Sequence, residues 1–484
     1  MEGEIYLKSL IGTDWRDAKS NETIKVINPA TNELIDTVPS LSAEEVDEAI
    51  AYAYSHQPEW ASVPVHEKCD ILMKFVELVE EKKDDLARTL SDETGKPIKE
   101  AYNEIANISV GVPAYVEKVK HSYGNLIPRG CEKGQENTIQ YTIRQPLGVI
   151  AAIIPFNFPS DIFINKIPPA LLMGNAAILK PASVNPLTLT KYVELLVEAG
   201  VPAGVISVVH GSGGVVGSAL SKSKKVNMVS ITGSTEAGID VAKNCAEHLA
   251  HSALELGGND AFIICADGDI DLAVEETVWG RLYNAGQVCC ASKRFLVENS
   301  VKDEYIQKMR DKIDTLKVGY PSEEDTDIGC LISEDAAIEV ERQVNQTIEE
   351  GATLISGGRR NGAFYEPTIL DNITKDMAVA KDMEIFGPVI SVIGFDTIEE
   401  AIEIANSSKF GLSGAIITND MNKALKTSEA FESGGFVING ASFFRSFEQP
   451  FGGWKYSGIG NEGIMTTLDE MSRMKTIILK NMMK

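Results

Sequence analysis

At 484 residues the chain is too long for a small disulfide scaffold, and at roughly 100–200 residues per domain it predicts two or three domains. Apolar residues make up 44% and charged residues 24%, an ordinary globular balance that allows a large packed core. With 45 Lys and Arg against 70 Asp and Glu the formal charge is −25, which repels phosphate backbones and anionic lipid, so neither nucleic acid nor membrane is an expected partner.

The N-terminal stretch MEGEIYLKSLIGTDWRD has no basic segment followed by an apolar one, and no apolar run nears the ~18 residues of a membrane span, so a soluble cytoplasmic protein is expected. Residues 43–56 and 66–91 carry apolar positions at helical spacing and predict surface helices. TIQYTIRQP alternates apolar and polar residues as a half-exposed strand. From Leu147 the texture changes. LGVIAAIIP, AAILKP, VISVVHG, VNMVSITG and AFIICAD are short apolar runs punctuated by Pro or Gly and separated by helix-length segments, the pattern of a parallel α/β sheet. FLVENS, a helical stretch near 301–316, and then ATLISGG, VISVIGF, GAIITND and GFVING, interleaved with helices such as IEEAIEIANSS, predict a second α/β domain. RMKTIILK near the end alternates like TIQYTIRQP, and both strands are free to pair across a subunit interface. No repeat and no low-complexity tract interrupts this organisation. The seven cysteines are odd in number and, apart from adjacent Cys289 and Cys290, widely spaced, which fits reduced intracellular thiols.

Four segments carry residue types suited to chemistry. In AIIPFNFPSDIFINKIPPAL, Asn157 lies at a strand end between two aromatics and two prolines, where a rigid amide makes a good oxyanion donor, although Asn and Pro also favour plain turns. VVHGSGGVVGSAL is a glycine-rich turn between strand and helix, but Gly211, Gly213 and Gly217 do not have the usual dinucleotide spacing. In HSALELGGNDAFIICAD, Glu255 sits between leucines, which invites a raised pKa; an isolated Glu is more often a cap or an ion pair. In RLYNAGQVCCASKR, two cysteines occupy a helix-to-strand connection where a thiol is accessible, although a single Cys is more often a small buried hydrophobe.

Together and in order, PFNFP, ILKPAS, TGSTEAG, LELGGN, GQVCC, EIFGPV and PFGGWKYSG resemble the aldehyde dehydrogenase superfamily nearly end to end. The similar branch holds lactaldehyde, succinic semialdehyde and non-phosphorylating glyceraldehyde-phosphate dehydrogenases. The resemblance implies an α/β fold with a Rossmann-like cofactor domain (1–123 and 147–257), a second α/β catalytic domain (258–456) and a small bridging β element (124–146 and 457–484) that forms a homodimer or homotetramer. It also implies roles. An aldehyde surrenders hydride only after a nucleophile makes it tetrahedral, and Cys289 matches the family nucleophile. Asn157 matches the side-chain oxyanion donor, with the Cys289 N–H as second donor, and Glu255 the general base that hydrolyses the thioester. Cys290 lines the substrate pocket without reacting.

For the cofactor, the resemblance places Lys180 at the adenosine ribose, the loop Gly211 to Gly217 and Ser234 near the pyrophosphate, Glu384 on the nicotinamide ribose and Phe386 beside the nicotinamide; Phe156, Thr232 and Gly233 complete the set. Three residues after Lys180, where NAD-preferring members often carry Glu, this chain has Ser183, which favours NADP over NAD by on the order of 1 kcal/mol or more. Succinic semialdehyde dehydrogenases hold the substrate carboxylate with arginines where this chain has Asn165 and Tyr283, which counts against that substrate. Instead Arg445, in an aromatic loop with Phe443, Phe444 and Phe447 and with Lys166 as helper, offers a local receptor for a small anionic aldehyde. If Arg445 is instead an ion pair, lactaldehyde or a similar small hydroxyaldehyde is equally open.

Other readings are discriminated by the same residues. Members that acylate coenzyme A commonly lack the carboxylate present here as Glu255. A Cys–His hydrolase would need one of six histidines, all upstream of Cys289 and none in a nucleophile motif. A catalytically retired scaffold has no use for intact Cys289, Glu255 and Asn157. No His or Cys pair has metal-ligand spacing, so no metal is expected.

Overall fold

The structure, a computed structural model, describes residues 7–480. Its first sheet has eight strands, of which five are parallel and stand in the spatial order Ile206–Val208, Ala176–Lys180, Val149–Ile153, Met228–Thr232, His251–Glu255. In chain order that is 3-2-1-4-5, the doubly wound arrangement. Four of the apolar runs read from the sequence are strands of this sheet, largely apolar because both faces are covered; the fifth run, AFIICAD, is Asp260–Ile264 of the second sheet, and the fifth parallel strand here, His251–Glu255, was not read as a strand. Ile150, Ala152, Ala177 and Leu179 face a core with the helices Val65–Glu81 and Leu187–Ala199. Their neighbours Val149, Ala151, Ala176 and Ile178 face the opposite core, with the helices Ala43–Ser62 and Thr235–Ala246.

The second sheet runs Thr353–Ser356, Thr368–Asp371, Val389–Phe395, Ser292–Glu298, Asp260–Ile264, Gly414–Ile417, Val437–Ile438, parallel except for its first strand, over a separate core. A third, antiparallel sheet joins Ser472–Lys480 to Thr138–Pro146 along nine residue pairs, with Leu126–Ile127 on the far side. The two alternating strands thus pair with each other inside one chain, leaving the outer edge of Ser472–Lys480 free for any subunit contact.

Several boundaries differ from the sequence reading. The first helix runs on from 56 to Ser62, past Pro58, from a Ser42–Glu45 capping box. The segment 66–91 is two helices, Val65–Glu81 and Lys83–Thr94, broken at Lys82 where φ −106 and ψ 15 leave the helical range. Gly458–Ile459, expected in the bridging element, pairs with Leu254 and Glu255 at the edge of the first sheet. Among the described residues no helix is long and apolar enough to cross a membrane, and no group of three His, Cys, Asp or Glu is placed to hold a metal ion.

Candidate active site

In a 3-2-1-4-5 sheet the connections after Val149–Ile153 and Met228–Thr232 leave in opposite directions and open a crevice at the carboxyl ends of the strands. Phe156 and Asn157 follow the first of these strands, and Gly233 and Ser234 the second, with Ser234 accepting from Ala237 N as a helix cap. On the neighbouring strands Ser183 Oγ donates to Gly211 O at 2.9 Å, so it lies against the start of the glycine loop. A Cβ on Gly213 or Gly214 would meet nothing within 4 Å, so that loop borders open space. Lys180 ends its strand 4% exposed; among the described residues its one hydrogen-bond acceptor is Pro181 O at 3.0 Å and no carboxylate lies beside it, and burial pushes its pKa down to about 8. Thr232 Oγ1 is buried without a partner. An unneutralised ammonium, an unpaired hydroxyl and an open glycine loop are the donor set that the phosphates and ribose hydroxyls of NAD(P) would satisfy, so these residues fit that cofactor.

Beyond the crevice, Phe156 and Phe386 meet edge to face with centroids 6.0 Å apart. Glu384 pairs with buried Lys293 at 3.2 Å and accepts from Gly258 N at 3.3 Å. Lys293 also donates to Cys289 O, which ties this end of the cofactor set to the cysteine loop.

The second half of the site is a cavity of about 300 Å³ lined by Asn157, Asn165, Tyr283, Cys289, Cys290 and Arg445, so six residues singled out from distant parts of the sequence converge on one space. Asn157 Nδ2 donates one proton to Gln287 O at 3.1 Å and has a second to offer. Phe158, Trp279, Tyr283 and Phe443 form an aromatic wall, with Phe158 stacked on Tyr283. Opposite charges and amides also line the space: Asn103, Glu104, Asn107 and Asp161. Cys289 is held down to about 7, first by a hydrogen bond from Cys290 and then by Lys293 and Arg445, against the opposing effect of burial. Cys290, as donor to its neighbour and buried, is pushed well above the ordinary thiol value. Glu255 is 4% exposed, has an unpaired Oε2, and is raised well above the carboxylate range by burial and by Glu462; it is not on the cavity wall but lies within electrostatic reach of Cys289.

Two groups that sequence reasoning did not find complete the picture. Glu462 accepts from Lys166 at 2.5 Å and from Arg445 at 3.4 Å; burial raises its carboxyl, but Lys166 and Arg445 outweigh that and hold it below its ordinary value. Lys166, expected to help receive an anion, is fully buried on Ser230 and Glu462 and does not line the cavity. Arg445 lines the cavity but is also ion-paired and stacked on Phe451 at 4.0 Å. The other group is Glu100, Lys96 and Glu104, buried behind Asn157 and the cysteine loop. No sequence motif marks these partners; Glu462 meets Lys166 across 296 positions and Glu100 meets Asn284 across 184, and even the nearer pairs Arg445–Glu462 and Lys96–Glu104 stand in no recognisable string.

Comparison with known proteins shows the family. The model of the Aldehyde dehydrogenase family matches residues 15–477. Lactaldehyde dehydrogenase of Methanococcus aeolicus is 39% identical over 473 residues, 97% of this chain and 99% of that protein. Glutarate-semialdehyde dehydrogenase of Pseudomonas putida is 38% identical, covering 98% of this chain and 97% of that protein. The glyceraldehyde-3-phosphate dehydrogenase of Methanocaldococcus jannaschii, solved with NADP, superposes with a TM-score of 0.91 at 39% identity, covering 95% of this chain and all of that one.

Proposed function

Since the chain belongs to the aldehyde dehydrogenase family and is an NAD(P)-dependent oxidoreductase of small aldehydes, we propose that it converts its aldehyde to the carboxylic acid through a thioester on Cys289. The observation that carries this reading is a thiol held to about 7 on the wall of an aldehyde-sized cavity, beside the Asn157 amide. The Cys289 thiolate adds to the carbonyl carbon, and the free Asn157 N–H together with the Cys289 N–H receives the developing oxyanion. Lys180, Ser183, Gly211, Gly217, Thr232, Gly233, Ser234, Glu384, Phe156 and Phe386 would hold NAD(P), which would supply the hydride acceptor. Once hydride has left, the acyl group remains on Cys289. Glu255, in its ionised form a stronger base than an ordinary carboxylate, takes a proton from the water that attacks the thioester, and acid and thiol part. That carboxyl favours hydrolysis over transfer to coenzyme A.

The lack of any carboxylate beside Lys180 supports preference for NADP over NAD. For the aldehyde, Arg445 shared with Glu462, and Asp161 and Asn107 joined at 2.8 Å on the cavity wall, support a small hydroxyaldehyde over a strongly anionic substrate. Exposed Met474 and Ile478 on the edge strand Ser472–Lys480, exposed Tyr456 and Ile459 beside Ile239, and exposed Trp454 support a homodimer or homotetramer. The division into cofactor, catalytic and bridging units follows the three sheets, with Gly458–Ile459 moved to the first. Seven free thiols support a cytoplasmic setting. The decisive experiment is single-turnover acyl trapping with lactaldehyde and NADP. Cys289→Ala is expected to abolish reduced-cofactor formation, whereas Glu255→Gln is expected to give a burst of reduced cofactor and then stall with label on Cys289. Turnover by Cys289→Ala would move the nucleophile elsewhere.

A further inference from the structure

The residues just before the nucleophile hold an unusual backbone. Asn284, Ala285 and Gly286 have φ of 50, 52 and 77, three left-handed residues in succession, all buried. Glycine suits the third position, where a Cβ would fall 2.3 Å from Gly387 O. Ala285 has no such excuse: its Cβ in the left-handed region costs on the order of 1–2 kcal/mol, and such a conformation persists only where the surroundings impose it.

Those surroundings are visible. Glu100, on the helix Ile98–Ala106 and 184 positions away in sequence, accepts the Asn284 N–H at 2.9 Å. The Asn284 side chain donates to Asn157 O at 3.0 Å and Gln287 O at 3.4 Å, and Asn157 Nδ2 donates back to Gln287 O. Lys96, from the turn before the same helix, donates to Asn157 O at 3.0 Å and pairs with buried Glu104. The turn that carries Cys289 and the peptide that carries Asn157 are thus fastened to each other and to one helix. Glu100 is 5% exposed and absent from the cavity wall, which its helix neighbours Asn103, Glu104 and Asn107 supply.

We infer that Glu100 is a positioning residue: by accepting the Asn284 N–H it clamps the strained turn 284–286 and keeps Cys289 in register with Asn157. The inference rests on the reading that Cys289 and Asn157 perform the chemistry. Because Glu100 acts through Asn284 and does not meet the aldehyde, its loss changes kcat and leaves KM nearly alone. Burial pushes its pKa to about 8, so near neutral pH it accepts through a protonated carboxyl, and Gln reproduces that acceptor.

The test compares Glu100→Gln with Glu100→Met, which fills the same space without an acceptor, in steady-state oxidation of lactaldehyde with NADP, with thermal unfolding confirming the fold. Glu100→Met is expected to lose at least tenfold in kcat with KM within twofold, and Glu100→Gln to stay within twofold of wild type in both. Adding Ala285→Gly to Glu100→Met, so that the left-handed turn forms without strain, is expected to recover at least half of the lost activity on a logarithmic scale. A merely structural role would not be rescued this way. Wild-type kcat in Glu100→Met, or no rescue by Ala285→Gly in folded protein, overturns the clamp. If Glu100→Met does not fold, Glu100→Leu, which also removes the acceptor of the Asn284 N–H, takes its place: a tenfold loss of kcat at constant KM supports the clamp and an unchanged kcat overturns it. Cys289→Ala runs beside these variants, because turnover there defeats the catalytic reading itself and not the clamp.

Discussion

Two thiols one residue apart end up with opposite acidities, because only one of them receives. Cys290 donates to Cys289, and Lys293 and Arg445 lie close enough to favour charge on the same sulfur, so one thiolate forms near neutral pH while its neighbour stays protonated. Iodoacetamide labelling of Cys289 is therefore expected to rise with a midpoint near pH 7, and Cys290→Ala, which removes the donor, to move that midpoint upward; an unmoved midpoint would assign the acidity to the cations alone. Ser183 makes a similar point for the cofactor. Its hydroxyl sits on Gly211 O, next to an ammonium with no carboxylate partner, and Ser183→Glu is expected to shift the kcat/KM ratio toward NAD by at least fivefold, read with the two cofactors in parallel. Cys289, Asn157, Glu255 and Lys180 could be singled out from the sequence because they stand in characteristic strings. The raised value of Glu255 was anticipated from its apolar flanks, but the parts played by Glu462 and Arg445 were not, since they reach Glu255 and Cys289 only through the fold.

Most parallel strands of both large sheets were legible as apolar runs, because a strand covered on two faces has few polar positions to confuse the pattern; His251–Glu255 and Thr368–Asp371 were not read as strands. Helix limits were less so. Pro58 reads as a stop yet lies within a continuing helix, and the break at Lys82 falls in a run whose helical spacing of apolar residues is uninterrupted. Gly458–Ile459 was missed because two residues carry no periodicity. The turn 284–286 was hidden for the opposite reason: Ala285 is a residue type that announces nothing about a left-handed backbone. The alternating strands were grouped in one bridging β element, and in the structure they pair with each other along nine residue pairs. Ending the chain after Met471 removes nine residue pairs from Thr138–Pro146 and uncovers that strand's edge. That truncation is expected to lower the thermal midpoint by several degrees and to shift gel-filtration mass to the monomer, whereas an unchanged assembly would place the subunit contact elsewhere, at Trp454 and Ile459.

At the scale of the whole molecule the formal charge of −25 is mostly a surface property, but several carboxyls are taken inside. Burial pushes Glu93 and Asp161 up to about 7 and Glu100 and Asp260 up to about 8. Each holds a proton in the folded chain that the unfolded chain has already released, so its contribution is complete below the ordinary carboxylate range and is lost as pH rises through 7 to 8. Glu100→Gln cannot ionise, and its thermal midpoint is expected to gain steadily on wild type between pH 5 and pH 8; parallel curves would show that Glu100 is ionised throughout. The broad architecture was legible from length, composition and the order of strands, while the closure of the molecule was not. Arg144 meets Ser472 across 328 positions of chain, and the strand Thr138–Pro146 is completed only by the last strand described. On a ribosome adding about 5–20 residues per second, that strand has to wait roughly 15–65 s with an unpaired edge before its partner emerges. Half-made chains are thus the molecule's sticky form, and a stall in translation late in the second α/β unit exposes it to chaperones or to aggregation at a point where most of its core is already built.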